Sequence, residues 1–516
     1  MSGSTTSTTT STTRTPAPGP AAADPVAPDA VAPDPVARTL AAAIALVRPR
    51  MEKVSRALHA RPELKFAEVY AQRVLTSWLA ESGFRIEAPA GGLDTAFVAT
   101  HRGSAPGPYI AVLVEYDALP GIGHGCGHNL IAAGGAAAAI AAVRALPGHP
   151  GTIAVIGTPG EEMGGAGKVR LARAGVFECV DAAVMFHPGD RSLTAQEGLA
   201  AAHLRARFTG VSAHAAKSPW EGRSALAAAQ LFLNALDAMR QFMPPTARVH
   251  GIVSDGGQAP NVVPDSAAVD FYVRDRTAAS AEALAERVRK AARGAALATE
   301  TEAEITETGP LYAERRNNMV LAERFAATVR ALGLDIAPGD PDTPAGSSDI
   351  GNLSHLLPVI HPYVQTAALG TPSHSEAMTA ASVTDLAHER TGIAAAGLAR
   401  VVTDLVTDPE VLAAARAEFL AGTGAKCRAA EACAEETAPR EEAAAPEETA
   451  TARPGEAAAR PEETAARPQE TAPAHAGSTA GAGPAAPVGP AAPAGPAAPA
   501  AGGTGAAART LRPCRS

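Results

Sequence analysis

The chain is 516 residues long, 46% hydrophobic but only 4% aromatic, and carries a net charge of −9. No dense Lys/Arg stripe runs through it, which argues against a nucleic-acid partner, and no apolar run is long enough for a membrane helix. Five cysteines make no disulfide framework and no secretory signal is visible, so a cytoplasmic location is expected.

Residues 1–36 are Ser/Thr tracts followed by Pro/Ala/Asp repeats, and residues 422–516 are Ala/Pro/Glu and Gly/Pro/Ala repeats. Neither stretch can bury a hydrophobic face, so both are expected to be disordered tails. Between them the body opens with helical patterns over 38–60 and 67–82, the second ending at Gly83. Strand-like runs FRIEA, TAFVATH and PYIAVLVEYD follow, the last nearly all apolar, as in a strand covered on both faces. An Ala-rich helix (129–146), a strand (TIAVIGT), a helix (166–175) and a strand (AAVMFH) come next. This alternation predicts an α/β domain with a mainly parallel sheet flanked by helices. From 199 to 306 the order becomes β-α-β-β-α-β, which predicts an inserted α+β ferredoxin-like domain. After 307 helix and strand alternate again, to a last helix near 421.

The segment EYDALPGIGHGCGHN, residues 115–129, follows a buried strand and precedes a helix. His124, Cys126 and His128 alternate, so an extended segment would point all three one way, and glycines between them permit tight turns. A thiolate beside imidazoles suits zinc or a similar ion. A phosphate-binding turn fits less well, because the Rossmann spacing requires glycine where Cys126 stands. A cysteine amidase, with Cys126 as nucleophile and a histidine base, stays open, as does a purely structural role.

TPGEEMGG, residues 158–165, also follows a strand. Adjacent Glu161 and Glu162 repel one another unless a cation intervenes; one suits a metal ligand and its neighbour a general base. Alone, such a pair is ordinarily a solvated turn. Beside a metal-like motif at the neighbouring strand end, it reads as part of a site. His187, closing AAVMFHP, and His374, in GTPSHSEAM, are eligible by placement only.

These strings, with FTGVSAHAA, NVVPDSA and GSSDIGNLSH in the same order, resemble the cocatalytic metallopeptidase and amidohydrolase family, which includes aminoacylases and carnosine dipeptidases. The resemblance covers about residues 45–410. It is closest to the branch with auxin-conjugate hydrolases, aminobenzoyl-glutamate hydrolase and dipeptidases acting on β-alanyl-lysine. It implies a discontinuous catalytic domain (37–198 and 307–421) and a lid and dimerisation domain (199–306). It further implies two divalent metal ions per subunit, on Cys126, His128, Glu162, His187 and His374. The thiolate favours zinc, and the family permits manganese. Glu115 stands where other branches carry a first histidine ligand. Glu161 would be the general base toward a metal-activated water, and Asp117 would orient a ligand. His214, from the lid of a homodimer partner, would stabilise the oxyanion, while Asn261 and Arg274 would hold the substrate. The implied reaction is hydrolysis of the amide in a small dipeptide or N-acyl amino acid. The rival from another class is a non-catalytic relative serving as a binding subunit.

Overall fold

The run Ile110–Val114 is fully buried, and the architecture is organised around it. The computed structural model describes Gly3 and residues 35–340 and 346–436, from 423 onward as backbone alone. Helices α1 (Pro35–His59) and α2 (Val69–Glu81) precede β1 (Arg85–Glu87), β2 (Phe97–Arg102) and β3 (Ala105–Val114). Then come α3 (His128–Ala145), β4 (Pro150–Gly157), α4 (Gly167–Arg173), β5 (Ala182–Val184) and β6 (His187–Gly189). An α+β stretch follows: β7 (Ala200–Thr209), α5 (Ala225–Met239), β8 (Arg248–Asp255), β9 (Ser266–Asp275), α6 (Ala278–Ala298) and β10 (Glu302–Tyr312). The chain closes with α7 (Met319–Ala331), α8 (Ile350–Leu353), β11 (Val359–Ile360), β12 (Tyr363–Gln365), α9 (Glu376–Ala381), α10 (Asp385–Thr407) and α11 (Pro409–Glu436).

The main sheet has the order β1-β2-β4-β3-β5-β11. Strands β4, β3, β5 and β11 run parallel, and β1 and β2 are antiparallel additions at one edge. Helix α3 is buried along almost its whole surface. Its alanines and glycines let it pack close against β3 while α1 and α10 cover its other side. Each large aliphatic side chain sealed here contributes about 1.5–3 kcal/mol, and the cluster runs from Leu40 to Ala415.

The second sheet has the order β10-β7-β9-β8, wholly antiparallel. With α5 and α6 on one face this is the ferredoxin-like arrangement. Ser224 caps α5, and Thr277 with Ser280 forms a capping box on α6. Its own core holds Phe208, Phe232, Phe271 and Val288. Strand β8 is an edge and leaves Ile252 67% exposed, beside exposed Val253.

Three boundaries differ from the sequence reading. AAVMFH is not one strand: β5 stops at Val184, and β6 pairs with β12 in a separate parallel ribbon. Pro188 removes a backbone donor within β6, and Pro362 removes one just before β12. Strand β10 runs on to Tyr312, with its register shifting around Gly309. Helix α11 continues to Glu436, past the end expected near 421; the Ala- and Glu-rich sequence there favours helix. The remainder of both expected tails lies outside the described residues.

Candidate metal and active site

Three loops at the carboxyl ends of β3, β4 and β5 converge on one place, where open α/β sheets carry their sites. The loop after β3 turns sharply at Gly127, whose φ of 77° suits glycine. A Cβ there would stand 2.6 Å from Pro188 Cγ. The turn starts α3 at His128 and leaves Cys126 facing the loop that carries His187: Cys126 Sγ lies 3.5 Å from His187 Nε2.

His128 is fully buried, and its Nδ1 is 3.0 Å from both the Asp117 carboxylate and the Asp117 carbonyl. Nδ1 therefore carries the hydrogen, and Nε2 is left without a hydrogen-bond partner. Burial alone would depress the pKa of His128, but the charge and hydrogen bond of Asp117 hold it well above the usual histidine value. The other Asp117 oxygen accepts the Glu162 amide at 2.9 Å. One carboxylate thus ties the first motif to the second. His187 is the converse case: its Nδ1 donates to the Pro188 carbonyl at 2.6 Å, and burial pulls its pKa down to about 3. With Nδ1 donating, the lone pair sits at Nε2, turned toward Cys126 Sγ, the tautomer a metal ligand requires.

Glu162 is buried, with Oε1 unpartnered by any hydrogen bond and 3.4 Å from Nε2 of half-exposed His374. His374 holds a left-handed backbone, φ 59°. The potential ligand atoms of Cys126, His128 and His187 all lie within 4.8 Å of one another, as do those of Cys126, Glu162 and His374. Ligands of one zinc stand about 3.3–3.8 Å apart, so these spacings fit two ions with Cys126 common to both sets. Glu161 groups with His128 and Glu162 in the same way. Burial, then Glu115, Glu162 and Asp349, push its pKa well above the usual carboxylate range.

His124 does not join this cluster. Alternating residues point one way only in an extended segment, whereas the chain here folds into turns at Gly123 and Gly127. His124 packs instead against His59, ring centroids 6.4 Å apart, and burial depresses its pKa to about 3. Glu115 pairs with buried Lys168, whose Nζ also contacts Asp349 at 2.7 Å; Asp349 further accepts the Lys168 amide at 2.8 Å.

A cavity of about 640 Å³ opens beside the cluster. Cys126, Glu161, Glu162, His187 and His374 line it from the α/β body, and His203, Tyr272 and Arg274 from the second sheet. His214 and Asn261 are not among its walls. They sit together on an exposed face, where the Ala215 amide donates to the Asn261 carbonyl. Sequence reasoning missed Lys168, Arg315 and His361 and gave Asp349 no role. One signal was readable: a His-Pro pair ends both β5's run (187–188) and β11's run (361–362).

The chain is similar to known hydrolases in sequence and in fold. Residues 194–300 match the peptidase dimerisation domain. The chain is 36% identical over 393 residues to human Xaa-Arg dipeptidase, covering 72% of this chain and 88% of that protein. It is 32% identical over 446 residues to one of the subunits of p-aminobenzoyl-glutamate hydrolase from Escherichia coli (strain K12), covering 72% of this chain and 92% of that protein. Among solved structures, an aminobenzoyl-glutamate utilization protein from Klebsiella pneumoniae superposes with a TM-score of 0.57 at 21% identity, covering 71% and 98%. A dinuclear metal-binding peptidase of the M20 family from Bacillus subtilis gives 0.53 at 22%, covering 70% and 99%. The two structures share the fold.

Proposed function

The chain belongs to the M20 family of metallopeptidases and amidohydrolases, and we propose that it cleaves the amide of a dipeptide or an N-acyl amino acid with two divalent ions. One observation carries the reading. Two ligand sets share Cys126, Glu161 stands beside them, and His128 Nε2 and Glu162 Oε1 are buried without a hydrogen-bond partner, the first 3.4 Å from Glu115 Oε2 and the second 3.4 Å from His374 Nε2. Cys126, His128 and His187 would hold one ion, and Cys126, Glu162 and His374 the other. Bound there, the ions supply Lewis acidity that polarises the amide carbonyl and acidifies water.

The remaining chemistry falls to side chains. Glu161 takes a proton from the attacking water and delivers it to the leaving nitrogen. Its raised proton affinity suits a group that must hold the proton between those events. Asp117 keeps His128 in one tautomer and one orientation. Burial also pushes the Cys126 thiol up. That disfavours a free thiolate nucleophile and fits a thiol deprotonated only on binding a cation.

The thiolate favours zinc, and manganese is compatible with the remaining ligands. We read 37–198 and 307–421 as the catalytic domain and 199–306 as a lid that makes a homodimer. The unpaired β8 edge with exposed Ile252 supports that pairing. In such a dimer the partner subunit's His214 would steady the oxyanion and the partner subunit's Asn261 would contact substrate, since neither lines the cavity of its own chain. Arg274 holds the substrate from within the chain. No helix among the described residues is long and apolar enough to cross a membrane; we place the enzyme in the cytoplasm.

The names of the relatives set the test panel: Xaa-Arg dipeptides and p-aminobenzoyl-glutamate. Chelator should abolish hydrolysis, and zinc or manganese should restore it. Full activity in metal-free protein overturns the reading and revives the cysteine amidase.

A further inference from the structure

Glu161 occupies a strained turn between β4 and α4. Gly160, Met163, Gly164 and Ala166 all have left-handed backbones, with φ between 56° and 70°. Methionine and alanine adopt that region at a steric cost. Such a turn persists only where its surroundings over-determine it. The Glu161 carboxylate accepts no hydrogen bond among the described residues, so its aim follows from the backbone that carries it.

Tyr312 ties the two ends of the turn with one oxygen. Its hydroxyl donates to the Glu161 carbonyl at 2.7 Å and accepts the Ala166 amide at 3.2 Å. The residue is 3% exposed, packed with Ala166, Val169 and Ala201. It is the last residue of β10, and that strand backs onto the same turn: a Cβ on Gly309 would stand 2.4 Å from the Gly164 carbonyl. Other supports come from the α/β body. Glu68 accepts the Gly160 amide at 2.9 Å, and Lys65 donates to the Met163 carbonyl at 2.8 Å. Neither touches the Glu161 carbonyl.

A buried phenol needs hydrogen-bond partners wherever it sits, so the bonds alone would fit a packing residue. Their place sets Tyr312 apart. The peptide unit joining Glu161 to Glu162 is held on both sides, its N–H by Asp117 and its C=O by Tyr312. We propose that Tyr312 is a positioning residue for Glu161, fixing from the end of β10 the peptide that aims the base. This rests on the amidohydrolase reading above. A general base works within hydrogen-bond reach of the proton it takes, and a misplacement of about 1 Å costs about 100-fold.

The test compares wild type with Y312F, which keeps the ring and removes the oxygen, and with V169A. In Y312F kcat should fall about 10- to 100-fold, with KM within about two-fold of wild type and bound metal unchanged. V169A loosens the packing around the same ring but keeps the hydroxyl. It should lose stability while its kcat stays within about two-fold of wild type. A Y312F kcat like that of wild type, an equal loss in V169A, or loss of bound metal from Y312F overturns the assignment. A second readout needs no catalysis: amide hydrogen exchange in metal-free protein, resolved to Ala166. Y312F should speed exchange there at least about ten-fold more than V169A does. Exchange of this amide in wild type at the rate of an open loop overturns the assignment, whether or not Y312F folds. If no amide on the panel is cleaved, the functional reading fails, and exchange still decides whether Tyr312 holds the turn.

Discussion

Replacing Lys168 with methionine removes the ammonium that Glu115 and Asp349 share. All three side chains are at most 1% exposed. At the 2.7 Å separation of Lys168 and Asp349, Coulomb's law with an effective dielectric near 20 gives about 6 kcal/mol of attraction. Desolvation offsets most of that, so the intact triad adds little net stability. Breaking it is another matter, because Asp349 then loses its cation and Glu115 keeps only His128, whose Nε2 is 3.4 Å from its Oε2, a loss of about 3–5 kcal/mol. K168M should therefore lower the stability of the metal-free protein by that amount, read as a fall in the urea midpoint at unchanged slope. Adding E115Q and D349N should recover about half, since the charges are gone and asparagine at 349 can still accept the amide of residue 168. A loss below about 1 kcal/mol, or a triple variant no more stable than K168M, refutes the charge argument.

Three further outcomes are expected. E161Q should retain its metal yet lose about two to four orders of magnitude in turnover, whereas E162Q should lose affinity for at least one ion; metal analysis with the pattern reversed exchanges their roles. Inactive E161A and H214A homodimers, unfolded and remixed in equal amounts, should recover about a quarter of wild-type activity through mixed dimers with one intact site. No recovery despite confirmed heterodimers confines His214 to its own chain. Burial, against the Thr95 hydrogen bond, raises the Glu68 pKa to about 7, so the folded state holds a proton there that the unfolded state releases near pH 4.5. Stability should decline as pH rises between those values, by about 2–3 kcal/mol from pH 5 to 8, and this component should vanish in E68Q. Parallel stability profiles for E68Q and wild type contradict that assignment.

The candidate ligand cluster was legible because its chemistry is written locally. Cys126 and His128 sit two apart behind a buried strand, Glu161 and Glu162 are adjacent behind the next, and a resemblance supplied His187 and His374. The ferredoxin-like insertion was legible because each of its strands and helices carries its own apolar period. What escaped depends on distant parts of the chain. Lys168 reads as an ordinary lysine in GKVRLAR, and only Asp349, far along the sequence, makes it a buried cation. Arg315 lies in the polar run ERRNN, and its fixed geometry comes from Gln196 and His361. His124 is misleading because spacing gives a direction only when the backbone conformation is known.

The late arrival of β11 bears on how the protein is made. Strand β5 emerges early in synthesis, yet its outer partner follows only after the whole inserted domain. Until then the parallel sheet has a raw apolar margin, a hazard for a nascent chain at cellular concentration. The second sheet draws the two ends of this stretch together, since β10 pairs along β7. It thereby shortens the loop that must close before β11 can dock. His374 lies later still, so the proposed ligand set is complete only once nearly all of the folded body has been synthesised. On that proposal, a half-made chain offers a metal only an incomplete set.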